Sequence, residues 1–259
     1  MAERFDWPEM AQWFDELQGD GGDLWHRALI FPGILKLIGD ANGLDILDVG
    51  CGNGSLARIL ARRGNRVVGV DGSAPIIERA RAREAVQPLG ITYYVASATD
   101  LAILAPASFD LVVSCMALAD IPDAGAALHE MARMVKSDGR CIILIEHPCF
   151  DVPGASWLTE KEHGDEPKVS RRIVRYRDVF SDWYIWKLTN GVRPQTPWYH
   201  RPLSWYFRAI SDAGMAVSML DEPEPQSEFL QHENGAAAAV AQIPMHVVIE
   251  ARPRPAQWR

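Results

Sequence analysis

Three alternate glycines follow an acidic residue near the end of an apolar run. Residues 46–57 read Ile-Leu-Asp-Val-Gly-Cys-Gly-Asn-Gly-Ser-Leu-Ala, which places Asp48 before Gly50, Gly52 and Gly54. Because glycine lacks a Cβ atom, these positions can adopt positive φ and let a ligand approach the backbone closely. The helix expected to follow offers unpaired N–H groups and a positive dipole end to an anionic group. The spacing therefore predicts a cofactor-binding loop.

The residues after this loop narrow the choice of cofactor. A dinucleotide-binding loop has a third glycine at a position that Ser55 occupies here, which disfavours a nicotinamide dinucleotide. A second apolar run, Arg66-Val-Val-Gly-Val-Asp71, ends in an acid about 20 residues further on, where a carboxylate can bind both hydroxyls of a ribose. Asp71 is therefore a candidate ribose-binding residue.

The two segments together resemble motif I and the following acidic loop of the class I S-adenosylmethionine (SAM) dependent methyltransferases. The resemblance continues through three further segments in the family's order and spacing, at residues 108–114, 128–136 and 138–145, and covers about residues 43–150. It implies methyl transfer from SAM, with S-adenosylhomocysteine (SAH) as the product.

The resemblance also implies which residues hold SAM. The glycine loop would carry the methionyl end, with Asp48 organising the turn or the amino group, and Asp71 would bind the ribose. The other residues expected along the cofactor are Gly72 and Ser73 beside the adenine, Cys115 near the methionyl amino group, and Arg27, which with Trp25 and His26 could close over the cofactor from the N-terminal segment.

The adenine site departs from the family's pattern. The family often has an acid followed by alanine near the end of the third strand, and here the text reads Ser97-Ala98-Thr99-Asp100-Leu101. Three alternatives stay open: the Ser97 hydroxyl accepts the bond from the adenine amino group, Asp100 substitutes from the next turn, or the backbone of Ala98 binds the adenine.

Short β-rich runs alternate with helical patterns between residues 44 and 146. Such alternation predicts parallel strands joined by crossover helices. The resembled family has a seven-stranded sheet whose last strand is antiparallel. We therefore predict an α/β fold with a Rossmann-like, doubly wound sheet of seven strands, mostly parallel, and an inserted lid.

The alternation stops after Phe150 and resumes with a helical pattern at residues 203–213. The intervening segment is rich in Pro, Trp, Tyr and Arg. We therefore divide the chain into an N-terminal helical cap (1–42), a SAM-binding core (43–150), an aromatic-rich lid insertion (151–202) and a C-terminal completion of the sheet (203–259).

Ligands of open parallel sheets bind beyond the carboxyl ends of the strands, so the substrate should meet residues that follow strands four and five. These residues are Met116, Asp120, Glu146, His147 and Cys149. His147 is the favoured general base, because imidazole titrates near neutrality and ends a strand here. The alternative is a histidine that caps or bridges the insertion.

The segment Tyr199-His200-Arg201-Pro202-Leu203 resembles a recurrent feature of small-molecule methyltransferases with an inserted lid. His200 is therefore the second candidate base. Arg201 could hold a substrate carboxylate or pair with an acid from residues 222–225, and Asp120 could polarise a substrate amine or cap the next helix. The expected substrate-binding residues are Met116, Asp120, Trp183, Trp198, Tyr199 and Arg201.

The composition of the chain disfavours several classes of binding partner. The net charge of the 259-residue chain is −8, which argues against general binding to nucleic acid or to anionic membranes. The four cysteines have no C-x-x-C spacing and the histidines form no H-x-x-x-H pair, so we predict no metal and a reducing cytoplasm. No signal peptide or membrane-spanning run is evident. We expect a cytoplasmic monomer or homodimer.

The leading hypothesis is an enzyme that moves a methyl group from SAM to an O, N or C atom of a small, aromatic or apolar metabolite. The alternative is a SAM-binding protein that does not methylate, either a pathway cyclase or a cofactor-sensing module, since the same loop serves both. An oxidoreductase linked to NAD is disfavoured by Ser55.

Overall fold

Strands and helices alternate along the core segment, as the sequence pattern predicts. The computed structural model describes residues 2–4, 7–160, 168–186, 193–231 and 239–255. The strands are β1 (Ala2–Arg4), β2 (Asp45–Val49), β3 (Arg66–Asp71), β4 (Thr92–Val95), β5 (Phe109–Cys115), β6 (Val135–Glu146), β7 (Ser156–Glu160), β8 (Lys168–Arg172), β9 (Phe180–Ile185), β10 (Arg193–His200), β11 (Met215–Asp221) and β12 (His246–Pro253). The helices are α1 (Trp7–Gln18), α2 (Phe31–Ile38), α3 (Ser55–Arg62), α4 (Ala74–Val86), α5 (Ala124–Met134), α6 (Leu203–Asp212) and α7 (Ser227–Gln231), with a π-helical turn at His26–Ile30.

Seven strands form the central sheet, in the order β11-β12-β6-β5-β2-β3-β4. The neighbours from β6 to β4 pair in parallel, and β12 runs antiparallel to both β6 and β11. The predicted fold, a Rossmann-like doubly wound sheet with an antiparallel last strand, is confirmed. The parallel strands therefore all end at one edge, which we call the carboxyl edge, and β12 begins there.

Helices cover both faces of this sheet, which explains the unbroken apolar run in β6. Ile143 and Ile145 pack in one buried cluster with side chains of α5 and α6. Ile142 and Leu144 pack in a second buried cluster with side chains of α2, α3 and α4. Because successive strand residues point to opposite faces, every position of this stretch is apolar and buried.

The lid is built largely of strands. β7 and β8 form an antiparallel pair, and β9 and β10 form a second one, to which β1 adds in parallel beside β10. The segment predicted as a helical cap therefore also supplies a strand to the lid. Lid and N-terminal segment together cover the carboxyl edge. Within the described ranges, no helix has the length and apolar character required to cross a bilayer.

Candidate active site

The glycine loop turns directly after β2 and is held by the neighbouring strand. The backbone N–H groups of Gly50 and Cys51 both donate to the carbonyl of Val70, over 2.8 and 3.0 Å. Gly50 and Gly54 have φ of 73° and 83°, a region that favours glycine. A Cβ atom at Gly50 would also overlap the Cβ of Ala117. Glycine is therefore required by the local backbone and by its close neighbour.

Asp71 ends β3 and shapes the loop from the side. Its two carboxylate oxygens accept hydrogen bonds from the backbone N–H groups of Gly52 and Ser73, over 3.0 and 2.9 Å. Burial raises the pKa of Asp71. Each oxygen still has a lone pair for a further donor, so this carboxylate can accept bonds from two ligand hydroxyls while it holds the loop.

Two buried polar atoms beside the loop have no hydrogen-bond partner among the described residues. They are Oδ2 of Asp48, whose residue is 1% exposed, and Oγ of Ser73. Burial, and then repulsion from Asp71, raises the pKa of Asp48 to about 7. Buried polar groups are ordinarily paired. Both atoms therefore fit a ligand that brings hydroxyl and ammonium groups, as SAM does.

A cavity of about 910 Å³ runs along the carboxyl edge. This volume is near the upper end of the range of about 300–1,000 Å³ that is usual for ligand sites, so a cofactor and a second small molecule can share it. The residues expected from the sequence that line it are Trp25, His26, Asp48, Gly50, Gly52, Asp71, Gly72, Ser73, Ser97, Ala98, Cys115, Met116, Asp120, Glu146 and Trp198.

The order of the strands gives the cavity two ends. Asp71 ends β3 and Glu146 ends β6. Three strand spacings separate these two strands, which is about 14 Å. The residues expected to hold the cofactor lie at the β2, β3 and β4 end. We call the other end, beside β6 and β12, the chamber. Its lining residues include Trp7, Asp23, His26, Asp120, Glu146, Asp151, Tyr184, Trp186, Trp198 and His246.

Aromatic side chains from α1 and the lid form the roof of the chamber. The Trp186 ring meets those of Trp7 and Tyr184 edge to face, at centroid distances of 5.9 and 4.9 Å, and Tyr184 meets Trp198 at 5.5 Å. The Trp186 indole N–H donates to Oγ1 of Thr196 over 3.0 Å. These contacts join the N-terminal helix to the lid.

Carboxylates surround the chamber below this roof. Burial raises the pKa of Tyr184, and the charges of Asp151, Glu146, Asp23 and Asp120, which line the same cavity, raise it further. The four residues come from different elements of the chain. The fold therefore concentrates negative charge around a single lid side chain.

Burial keeps several of these carboxyls partly protonated. It raises the pKa of Glu146 to about 7, and Oε2 of that residue has no partner among the described residues. Burial, and then the charge of Glu146, raises the pKa of Asp120 well above its usual value. Asp151 is raised to about 6 although Arg171 binds it over 3.0 Å. The chamber is thus acidic and poorly solvated.

The raised pKa of Glu146 predicts a pH-dependent difference in stability. Between about pH 5 and 7 the folded protein holds a proton that the unfolded chain has lost, so ionising Glu146 destabilises the fold as the pH rises. Replacing Glu146 by Gln should therefore increase the free energy of unfolding relative to the wild type, by up to roughly 3 kcal/mol at pH 8 and little at pH 5.

Urea unfolding of both ligand-free proteins at pH 5, 6, 7 and 8 measures this difference. Burial lowers the pKa of His147, His200 and His246, and these groups titrate in both proteins, so their contribution cancels. A difference that stays constant or shrinks with rising pH would contradict the assignment.

His26 and Asp23 form a hydrogen-bonded pair at the wall of the chamber. His26 Nδ1 lies 2.8 Å from Asp23 Oδ1, and the His26 backbone N–H donates to the same oxygen over 2.9 Å. Burial opposes ionisation of Asp23, but the bonds from His26 lower its pKa. Because a carboxylate can only accept, Nδ1 carries the ring proton and Nε2 is left as an acceptor.

The position of His26 depends on an unusual local backbone. It begins the π-helical turn His26–Ile30, which runs directly into α2. Short π-helical turns frequently occur at functional sites. The amide nitrogen of Gln18 also lies 3.0 Å from Nδ1, so the end of α1 packs against the pair.

The two histidines chosen from the sequence do not line the cavity. His147 is buried, its Nδ1 accepts from the Cys149 N–H over 3.1 Å, and its Nε2 lies 2.8 Å from a Glu222 carboxylate oxygen. His200 is also buried, and its Nε2 donates to the Tyr176 carbonyl over 3.0 Å. Both rings bridge segments of the chain, which was the alternative considered for His147.

The Arg201 side chain forms hydrogen bonds with the backbone of the loop that follows β5. Its buried guanidinium donates to the backbone carbonyls of Leu118, Tyr199, Ile121 and Pro122, over 2.7 to 3.3 Å. It does not line the cavity and does not pair with residues 222–225. Its contacts hold the loop that carries the chamber's carboxylate at position 120.

The remaining expected residues lie outside the cavity wall. Arg27 pairs with Glu228 over 2.7 Å at the surface. Tyr199 donates its N–H to the Ala119 carbonyl over 2.7 Å. Trp183 pairs with Pro197 in the β9–β10 register, one position from Tyr184, so the two side chains leave opposite faces. Gly54 caps α3 with positive φ, behind the loop.

Sequence reasoning missed most of the chamber. Tyr184 and Trp186 are two residues apart, as are Thr196 and Trp198, and a period of two places each pair on one face of a strand. That signal would have identified a β-hairpin with an aromatic face. No local pattern connects Asp23, Asp151 and His246, which only the tertiary structure brings together.

Comparison with known proteins agrees with the site. Residues 47–143 match the protein family described as "Methyltransferase domain". A ubiquinone biosynthesis O-methyltransferase from Alkalilimnicola ehrlichii is 34% identical over 132 residues, which are 49% of this chain and 53% of that protein. One from Neisseria meningitidis is 42% identical over 103 residues, 39% of this chain and 43% of that protein. The chain spans about half the length of the curated relatives it matches.

A solved structure is similar over more of the chain. The S-adenosylmethionine dependent methyltransferase from Mesorhizobium loti is 26% identical, with a TM-score of 0.68, and the match covers 86% of this chain and 96% of that one. Residues 47–143 of this chain therefore form a methyltransferase domain, on a fold shared with an S-adenosylmethionine dependent methyltransferase. The recognition made from its motifs is confirmed, and SAM is the cofactor of that class.

Proposed function

We propose that this protein transfers a methyl group from SAM to an O, N or C atom of a small molecule held in the chamber. The observation that carries the proposal is the continuous cavity, which joins the glycine loop to a second, aromatic-roofed compartment. The O-methyltransferases among the relatives favour oxygen as the accepting atom. The acidic lining and the net charge of −8 disfavour a polyanionic substrate.

The cofactor end supplies binding and orientation. Gly50 and Gly52 would carry the methionyl part, Asp71 would accept the ribose hydroxyls, and Asp48 and Ser73 would pair their free atoms with the ligand. Bound SAM would supply an electrophilic methyl group on a sulfonium. The protein contributes alignment and a dry site, since the reaction is an in-line displacement.

We assign the proton acceptor to His26. Of the candidate histidines, His147 and His200 do not line the cavity, and burial lowers the pKa of the cavity-lining His246 to about 3, whereas His26 is held by a carboxylate. When a hydroxyl or amine is methylated, a bond forms between the accepting atom and the methyl carbon, and the carbon–sulfur bond breaks with its electron pair going to sulfur. Nε2 of His26 takes the proton that leaves the acceptor. Asp23 fixes the ring and stabilises the imidazolium that results.

Direct binding and label transfer test the proposal. Titration calorimetry should show that SAM and SAH bind, and SAM labelled in its methyl group should pass the label to a small molecule when incubated with a small-molecule extract. The Asp71→Asn variant, which should bind SAM and SAH weakly, is the negative control for label transfer. Absence of SAM and SAH binding would reject the proposal, and binding without any labelled product would favour a protein that uses SAM without methylating.

Replacing His26 by Gln should lower kcat by about 100-fold once a substrate that loses a proton is in hand, because the proton acceptor is gone. The SAH dissociation constant should stay within about threefold of the wild type, since none of the contacts assigned to SAM above involves this ring. The matched control is His129→Gln, at an exposed position on α5. An unchanged kcat would return the role of base to His147 or His200.

A further inference from the structure

The cavity is lined by acids without basic residues to balance them. Its lining carries seven carboxylates, and among the described residues that form it there is no lysine or arginine. The carboxylates are Asp23, Asp48, Asp71, Asp120, Asp123, Glu146 and Asp151. The cavity as a whole therefore favours positively charged ligands.

Most of these carboxylates have a partner or an expected role. Asp48 and Asp71 lie at the cofactor loop. Three more are bound within the protein: Asp23 by His26, Asp123 by the Ala126 N–H, and Asp151 by Arg171. Asp120 and Glu146 remain. In the part of the chain that the structure describes, no ion pair holds either of them, although the Trp7 indole contacts the Asp120 carboxyl and partly offsets the effect of burial on its pKa.

His246 adds a second, independent sign of a missing ligand. It is 5% exposed, lines the chamber, and its Nδ1 has no hydrogen-bond partner among the described residues. It is paired with Glu146 in the β12–β6 register, so both side chains leave the same face of the sheet. Burial lowers the pKa of His246 to about 3, so its neutral ring does not balance Glu146.

The roof completes a site for a cation. Trp7, Trp186 and Trp198 line the cavity beside Tyr184, whose hydroxyl lies among the carboxylates. The faces of aromatic rings attract cations, and the attraction is stronger where water is excluded. Two carboxyls without an ion-pair partner, a neutral imidazole acceptor and aromatic rings thus line one compartment.

We propose that the chamber binds its substrate through a protonated amine, placed between Glu146, Asp120 and the aromatic roof, with His246 Nδ1 accepting one of its hydrogen bonds. The substrate class is a small molecule that joins an apolar or aromatic body to a primary or secondary ammonium group. This inference rests on the proposed function, because it names the substrate class of the same cavity.

The physical reason is the cost of burying a carboxylate alone. An unpaired buried charge is strongly unfavourable, and an ammonium that arrives with the substrate supplies the missing partner. A substrate carboxylate would instead bind only while both acids keep their protons, and a neutral analogue would leave Glu146 protonated or unpaired. Charge alone should therefore separate otherwise similar ligands.

Three probes with the same ring and similar length test the proposal on the SAH-loaded protein. They are tryptamine, tryptophol and indole-3-propionate, which are cationic, neutral and anionic at pH 7. Calorimetric titration should show tryptamine binding at least tenfold more tightly than tryptophol, with no binding of the propionate. Glu146→Gln should bring tryptamine to the tryptophol level, whereas Glu78→Gln, on the exposed side of α4, should leave the preference intact.

Proton release provides a readout that a structural defect would not reproduce. When an ammonium approaches Glu146, the carboxyl should ionise, so tryptamine binding at pH 7 should release protons. Repeating the titration in buffers of different ionisation heat measures that release, and tryptophol should show none. Glu146→Gln should remove most of it while SAH binding is kept.

The outcomes separate this inference from the proposed function. If SAH does not load, the proposed function fails, and the three probes titrated onto the ligand-free protein still decide the amine inference. Equal affinity for the three probes, tighter binding of the propionate, or no binding of any of them at millimolar concentration would overturn it.

Discussion

Replacing Asp71 by Asn is expected to lower the affinity for SAH by about 100-fold. The carboxylate oxygens accept bonds from the N–H groups of Gly52 and Ser73 and keep lone pairs for the ribose hydroxyls. A hydrogen bond to a charged group contributes about 1.5–3 kcal/mol, and the amide nitrogen of asparagine cannot accept one. The loss of the hydrogen bonds that one carboxylate oxygen accepts therefore accounts for the expected 100-fold increase in the SAH dissociation constant.

Titration calorimetry with SAH measures this loss. The control is Asp138→Asn, which changes an exposed carboxylate at the end of β6 opposite to the carboxyl edge. The free energy of unfolding of both variants should be measured as well, since Asp71 also holds the loop. If Asp71→Asn binds SAH within threefold of the wild type, the ribose assignment is refuted.

A Gly50→Ala substitution is expected to abolish detectable SAH binding and to lower the stability of the fold. Gly50 has φ of 73°, and a non-glycine residue in that region costs about 1–2 kcal/mol. The new methyl group would also overlap the Cβ of Ala117, which lies in the loop after β5. One of the two loops must therefore move, and both of them line the cavity.

The comparison uses Gly21→Ala, because a Cβ atom at Gly21 meets no atom within 4 Å and its φ is not positive. Thermal unfolding and SAH titration of both variants provide the test. Gly50→Ala should unfold several degrees below Gly21→Ala and show no binding heat. Normal SAH binding by Gly50→Ala would mean that the loop does not cradle the cofactor in the way described above.

The cofactor end was predictable because its geometry is local. The turn needs glycines at fixed spacing, the acid that serves it ends the next strand, and both facts are written in the order of residues 46–71. The sheet was predictable for a similar reason, since alternating strand and helix patterns allow few arrangements. Local rules therefore brought most of the expected cofactor residues to the cavity.

The position of His147 shows what such rules leave undetermined. Glu146 and His147 are consecutive in the sequence, and both follow the same strand. The carboxylate lines the cavity, whereas the imidazole ring lies beside Glu222. Adjacent residues at the end of a strand leave opposite faces, so position at the carboxyl edge does not determine which one meets the ligand.

What the sequence determined by itself is the fold and the cofactor loop, because backbone conformation and strand order follow from nearby residues. What only the tertiary structure decided is the chamber. Its acids and imidazoles come from residues 23, 26, 120, 146, 151 and 246, and its roof from α1 and two lid strands. Contacts between such distant segments depend on how whole elements pack, and no spacing in the chain encodes that packing.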